Sequence, residues 1–338
     1  MSLRVAINGM GRIGRSVLRA FYESDDCQDI EIVALNELAD IKTLAHLTRY
    51  DSTHGRFPGV VAAQGEHLVI NKDSLPVSHI EDLQSLPWAV YDVDLVMECS
   101  GAFTSRKSAE SHIQQGAKKV LFSQPAEADV DATVVYGVNH DALKAEHSII
   151  SNASCTTNCI VPLIKCLDDA LGITSGVMTT IHSAMNDQPV IDAYHHTNLR
   201  LTRGAFQSII PVDTGLARGV ERILPHLKGC FEAQAMRVPT ANVSAIDLTV
   251  VVDKATSAEE VNALIREGSE AMLPNVLAYT DEALASCDFN HDPRSSIVDL
   301  GQTRVSGKHL IKVLAWFDNE WAYANRMLDV AKLIKRLK

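Results

Sequence analysis

The residues best suited to chemistry in this chain lie in the stretch Ser151-Asn152-Ala153-Ser154-Cys155-Thr156-Thr157-Asn158-Cys159. Before Cys155, residues 147–150 include a β-prone apolar run, and after it residues 160–171 carry apolar side chains at helical spacing. The cysteine therefore falls at a strand-to-helix turn. A thiol there faces unpaired amide N–H groups and the positive end of a helix dipole, and both favour thiolate over thiol. Only the thiolate is a good nucleophile. The small polar neighbours Ser154, Thr156 and Thr157 leave room for a substrate and supply donors. Cys159, inside the first helical turns, reads as a small buried hydrophobe. Two cysteines without a second Cys/His pair at ligand spacing make a poor zinc site, so no metal is expected.

A thiolate nucleophile needs a partner for its proton, and histidine titrates in the right range. Among 13 histidines, His182 stands out because it ends the β-branched run 177–181 and precedes a long polar segment, residues 184–211. A positioned, accessible base belongs at such a strand end.

The opening residues predict where a second reactant binds. A buried strand over residues 3–7 runs into Asn8-Gly9-Met10-Gly11-Arg12-Ile13-Gly14 and then a helical segment with Val17, Leu18 and Phe21. This is G-x-G-x-x-G between strand and helix. Gly9 permits the tight turn, Gly11 lets the backbone approach a pyrophosphate, and Gly14 lets helix pack on strand, as in a Rossmann domain. A second strand, residues 30–35, ends at Asn36-Glu37. An acidic side chain there accepts hydrogen bonds from a ribose and repels a 2′-phosphate, so Glu37 argues for NAD over NADP. Further strands are expected over 94–97, 120–123 and 133–138, with a helix over 105–115. Ser100-Gly101 and Ser123-Gln124-Pro125, at strand ends, are expected to line the cofactor cleft. Residues 50–87 read as less regular. Alternating strands and helices predict a mostly parallel sheet.

Beyond Cys155 the texture changes. Long strand patterns run over 236–252 and 308–317, and a helix over 257–273 opens with Ser257 and Glu260 as a capping box. Strands that run together predict an α+β domain with a mainly antiparallel sheet. The expected domains are residues 1–151, residues 152–318, and a C-terminal amphipathic helix over 319–338.

The chain has 338 residues, enough for two cores. Its 31 basic and 42 acidic residues give a net charge of −11, which disfavours nonspecific binding to nucleic acid or an anionic membrane. Anionic substrates then require local arginines. No apolar run approaches 18 residues, and Met1-Ser2-Leu3-Arg4 shows no signal-peptide pattern. Seven widely spread cysteines speak against a disulfide framework. Together these features predict a cytoplasmic protein.

The nonapeptide at Cys155, Thr179-Thr180-Ile181-His182, Arg237-Val238-Pro239-Thr240 with Asn242-Val243-Ser244, and Asp318-Asn319-Glu320 with Asn325-Arg326 resemble the glyceraldehyde-3-phosphate dehydrogenase family. So does the opening from Val5 to Arg15, and the motifs follow the family's order across nearly the whole chain. The resemblance implies an NAD-binding Rossmann domain, a catalytic domain, a C-terminal helix returning to the first domain, and a homotetramer. It implies that Cys155 is the nucleophile and His182 its base. Asn319 would bind the nicotinamide carboxamide, Tyr323 would lie near the ring, and Arg12 and Ile13 would meet the pyrophosphate through their backbone. Ser154, Thr156, Asp187, Thr214, Gly215 and Arg237 match the family's two anion sites.

Two positions depart from the glycolytic pattern: Met185 where a threonine binds the substrate phosphate, and Leu201 where an arginine stands, although Arg200 and Arg203 flank it. A thioether cannot donate a hydrogen bond to phosphate. Arg237, whose guanidinium offers bidentate contacts, becomes the leading candidate for that role. These departures resemble a branch of the family that acts on a sugar phosphate one carbon longer. The phosphorylating triose-phosphate branch is the alternative; a catalytically silent NAD-binding sensor or scaffold has no use for an activated thiol beside a base.

Overall fold

A computed structural model describes residues 2–337, which form two compact units. The first runs to Ser154 and takes in the chain from Tyr323 onward; the second comprises Cys155–Ala322.

Eleven strands lie in the first unit: β1 (Leu3–Asn8), β2 (Ile30–Asn36), β3 (Tyr50–Asp51), β4 (Gly55–Arg56), β5 (Val61–Gln64), β6 (His67–Ile70), β7 (Asp73–Ser78), β8 (Leu95–Glu98), β9 (Lys119–Phe122), β10 (Ala132–Thr133) and β11 (Ile149–Ser151). Nine of them make one sheet in the order β10-β11-β9-β8-β1-β2-β7-β6-β5. From β10 to β7 every pairing is parallel. Buried apolar strands such as β8, Leu95 to Glu98, suit a sheet covered on both faces. Helices α1 (Arg12–Glu23), α2 (Ile41–Arg49) and α3 (Arg106–Gln114) belong to this unit, and their crossovers make the parallel order possible.

Two sequence expectations need correction here. Residues 50–87 are not irregular, because β5, β6 and β7 form an antiparallel extension of the sheet, turning at Gly65 (φ 58°) and Asn71 (φ 54°). The strand expected over 133–138 ends at Thr133. There the Asn139 side chain accepts from Val135 N (2.7 Å) and donates to the Thr133 carbonyl (2.9 Å), closing a turn with Gly137 at φ 85°.

The second unit holds α4 (Cys155–Leu171), β12 (Ile173–His182), β13 (Ile210–Val212), α5 (Leu216–Ile223), β14 (Phe231–Arg237), β15 (Ser244–Val252), α6 (Ala258–Ala271), β16 (Leu277–Thr280), β17 (Ser296–Asp299), β18 (Arg304–Ser306) and β19 (Leu310–Phe317). The sheet order is β13-β14-β12-β15-β19-β17-β16, with β18 on β19. Most pairings are antiparallel; β12 with β14 and β16 with β17 are parallel. The pattern over 236–252 is interrupted: β14 stops at Arg237, and the chain turns through Pro239 and Val243 (φ 65°) before β15 begins. That break lets β14 and β15 flank β12 on opposite sides and puts Arg237 opposite His182 in the ladder. The expected capping box opens α6, with Ser257 Oγ accepting from Glu260 N and the Glu260 carboxylate accepting from Ser257 N. The last helix, α7 (Trp321–Arg336), lies in the first unit from Tyr323 onward. No helix among the described residues is long and apolar enough to cross a membrane.

Candidate active site

Within the second unit, Cys155 is the first residue of α4 and His182 the last of β12, and the fold brings Sγ to 3.9 Å from His182 Nε2. His182 is buried, and its other nitrogen, Nδ1, lies 2.9 Å from the Ser183 carbonyl oxygen. A carbonyl only accepts, so Nδ1 carries the ring hydrogen and the Nε2 lone pair faces the thiol. The Phe317 ring closes one side, edge-on at 6.3 Å between centroids.

The electrostatics differ from the sequence expectation of a resting thiolate. Burial pushes the Cys155 thiol up to about 11, opposed by the Thr156 backbone N–H and the Arg237 guanidinium. Burial, and then Arg237, pull His182 down to about 4, with the Ser183 carbonyl working in the other direction. Desolvation outweighs the helix terminus because His182 is buried and Cys155 is largely enclosed by protein. At neutral pH the pair rests as thiol and neutral imidazole, an arrangement suited to proton transfer during nucleophilic attack.

Arg237 supplies the positive charge of this site. Its own pKa is lowered by burial and held up by Asp187 and, once its thiol ionises, by Cys155, which places all three within one electrostatic neighbourhood. Met185, three residues beyond His182, is 45 % exposed, and its segment is folded back by paired hydrogen bonds with Gln188. Leu201 is buried in a short 3-10 turn. The flanking arginines are not gathered at the cysteine: Arg200 is exposed, and Arg203 pairs with Asp192 at 2.9 Å. Thr214 and Gly215 precede α5, where Thr214 Oγ1 accepts from Leu216 N at 3.2 Å. No hydrogen bond or ion pair joins Arg200, Arg203, Thr214 or Gly215 to Cys155 or His182 among the described residues. Thr156 follows Cys155 in α4.

Asn319 belongs to the same unit. Its Oδ1 accepts from Ser183 Oγ (3.0 Å) and Ser244 Oγ (2.9 Å), while Ser244 Oγ accepts from Ser183 N (3.1 Å). Ser244 therefore has only its own hydrogen to give to Asn319, and the two serines fix which end of the amide is oxygen, leaving the NH2 end free of both. The orienting role of Ser183 and Ser244 was not apparent in sequence, because 136 and 75 residues separate them from Asn319.

In the first unit the glycine loop has the expected geometry. Gly9 has φ 89°, and a Cβ there would lie 2.4 Å from the Ser100 Cα; one on Gly14 would lie 2.0 Å from the Gly9 carbonyl oxygen. A Cβ on Gly11 would meet nothing within 4 Å, so the protein itself leaves this space open. Arg12 turns its guanidinium to Asp51 and holds that carboxyl well below the usual carboxylate range, leaving the backbone of Arg12 and Ile13 at the start of α1. Glu37 accepts from Met10 N (2.7 Å) and Ala39 N (3.1 Å), tying the end of β2 to the glycine loop. Ser123 follows β9 and bonds the Cys99 thiol.

Ser154 closes this unit, following a turn in which Ala153 adopts φ 54°; Tyr323 is buried and donates its phenol to the Ala153 carbonyl at 2.9 Å. A dinucleotide fits these residues, since the open face at Gly11 and the N-terminal amides of α1 are what a pyrophosphate requires.

Comparison with known families agrees with both halves of this description. Residues 3–106 match the NAD binding domain of glyceraldehyde 3-phosphate dehydrogenase, and residues 154–319 match its C-terminal domain. With its NAD-binding and C-terminal domains matched in order, the chain belongs to the glyceraldehyde 3-phosphate dehydrogenase family.

Proposed function

We propose that this protein is a D-erythrose-4-phosphate dehydrogenase, oxidising D-erythrose 4-phosphate to 4-phospho-D-erythronate in pyridoxal 5′-phosphate synthesis. The observation that carries the reading is Met185, a half-exposed thioether at the position where glycolytic relatives place a phosphate-binding threonine. Such a side chain gives a substrate phosphate no donor, so the phosphate of a longer sugar has to be held elsewhere. Arg237, beside Cys155 and Asp187, is the assigned anchor.

Cys155 Sγ attacks the aldehyde carbon as its proton passes to His182 Nε2, and His182 returns that proton to the former carbonyl oxygen, which completes a hemithioacetal and leaves the ring neutral again. Bound NAD supplies the hydride acceptor. His182 removes the hydroxyl proton as the C–H bond breaks, which leaves a thioester on Cys155. Water then attacks the thioester, releasing the acid and restoring the thiol. Glu37 at the ribose, the Arg12 and Ile13 amides at the pyrophosphate, Ser123 along the cleft, Asn319 at the carboxamide and Tyr323 near the ring are the assigned cofactor residues.

The second reading is phosphorylating glyceraldehyde-3-phosphate dehydrogenase, favoured by Ser154, Thr156, Thr214 and Gly215, which match the family's anion sites. NAD reduction with erythrose 4-phosphate and with glyceraldehyde 3-phosphate, each with and without inorganic phosphate, separates the two. Efficient, phosphate-independent oxidation of the four-carbon sugar is expected. A phosphate-dependent preference for the triose would overturn the assignment.

We also assign a cytoplasmic homotetramer. In support, one face of the second sheet exposes Val177, Ile181, Val251 and Leu310, and the loop between β12 and β13 exposes Tyr194 and Leu199 by more than 80 %. All seven cysteines are free.

A further inference from the structure

At the carboxyl ends of β8, β1, β2 and β7, side chains form a chain of hydrogen bonds, buried at its centre, that no step of the reaction uses. Glu98, the last residue of β8, is fully buried. Its Oε2 accepts from Asn8 Nδ2 (2.6 Å) and His112 Nε2 (2.9 Å), and its Oε1 accepts from Ser100 N (2.8 Å) and Ser100 Oγ (2.5 Å). The direction of the His112 bond is fixed by Trp88, whose indole N–H only donates and does so to Nδ1 (3.0 Å), leaving the ring hydrogen on Nε2. From Asn8 the chain continues outward. Asn36 Nδ2 donates to Asn8 Oδ1 (2.8 Å), and Asn36 Oδ1 accepts from Ser78 Oγ (2.9 Å) and Ile80 N (3.0 Å).

Burying a carboxylate is costly unless its oxygens are filled, and a well-packed apolar side chain often serves a core at least as well. Stability alone therefore gives little reason for Glu98. Its oxygens do what an apolar group cannot: they fasten Asn8, which leads into Gly9, to Ser100, over whose Cα Gly9 passes too closely for any Cβ. Ser100 Oγ in turn accepts from Ala102 N (3.2 Å), shaping the turn at Gly101 (φ 76°).

We propose that Glu98 is a positioning residue for the dinucleotide, holding the glycine loop and the Ser100 turn in the register that cofactor binding requires. The inference rests on the NAD-binding domain and is independent of which aldehyde is oxidised.

Glu98→Gln in the full chain tests it, because one oxygen becomes an NH2 that faces a donor whichever way the amide lies. The dissociation constant for NAD is expected to rise about tenfold or more, since a hydrogen bond to a charged group is worth roughly that factor. Turnover at saturating NAD is expected to stay within about twofold. His112→Gln disturbs the same cluster but leaves the bonds from Asn8 and Ser100 to Glu98 in place, and is expected to lower the melting temperature with less than about a twofold change in NAD affinity. Ser100→Ala, at an exposed position, removes one bond to Oε1 and is expected to weaken NAD about threefold even if Glu98→Gln fails to fold. NAD affinity unchanged in Glu98→Gln or Ser100→Ala, or weakened as much by His112→Gln as by Glu98→Gln, would overturn the proposal.

Discussion

His182 gives its ring hydrogen to the Ser183 carbonyl and keeps its lone pair toward Cys155, and burial together with Arg237 holds it neutral down to a pKa of about 4. In the unfolded chain the same ring takes up a proton near its ordinary value of about 6.5. Between those values the unfolded state binds more protons, so stability falls as pH drops from about 6.5 to about 4 and levels off below. His182→Gln removes this contribution. Comparing pH 7 with pH 5 in urea titrations, the variant is expected to lose on the order of 2 kcal/mol less than the parent. An identical pH dependence in both would mean that the ring is solvated.

The glycine loop makes a separable prediction at the level of one strand and one helix. Gly14→Ala drives a Cβ into the Gly9 carbonyl oxygen, so α1 must move, with an expected loss of about 1–3 kcal/mol in stability and of NAD binding. Gly11→Ala meets no protein atom and has φ −67°. Its melting temperature should match the parent's while NAD affinity falls at least tenfold; affinity that survived would mean the cofactor does not use that space. This element was legible in the sequence because its rules are local: glycine spacing between a buried strand and a helix. The β5–β7 extension was not, since strands of four to six residues with mixed burial carry too little periodicity. The break after Arg237 was hidden for the opposite reason. Val243 is a β-branched residue held at φ 65°, a conformation its propensity argues against. Cys155 and His182 stood out by type and place, but their mutual desolvation depends on packing between distant segments, so the sign of both pKa shifts lay outside what spacing encodes.

At the scale of the whole molecule, the uncovered apolar side chains on the second sheet predict self-association. Sedimentation equilibrium is expected to give about four times the chain mass of 36.9 kDa. A monomer at micromolar concentration would exclude it. The first unit has another property: it is discontinuous in sequence. Tyr323 reaches back 170 residues to hold the left-handed turn at Ala153, Lys332 reaches back 306 to Asp26, and the Arg326 guanidinium lies over the Tyr136 ring. In order of synthesis every strand of both sheets therefore precedes the helix that makes these contacts. The left-handed turn just before Cys155 therefore acquires its fastening from Tyr323 only after the strands of both sheets have been made.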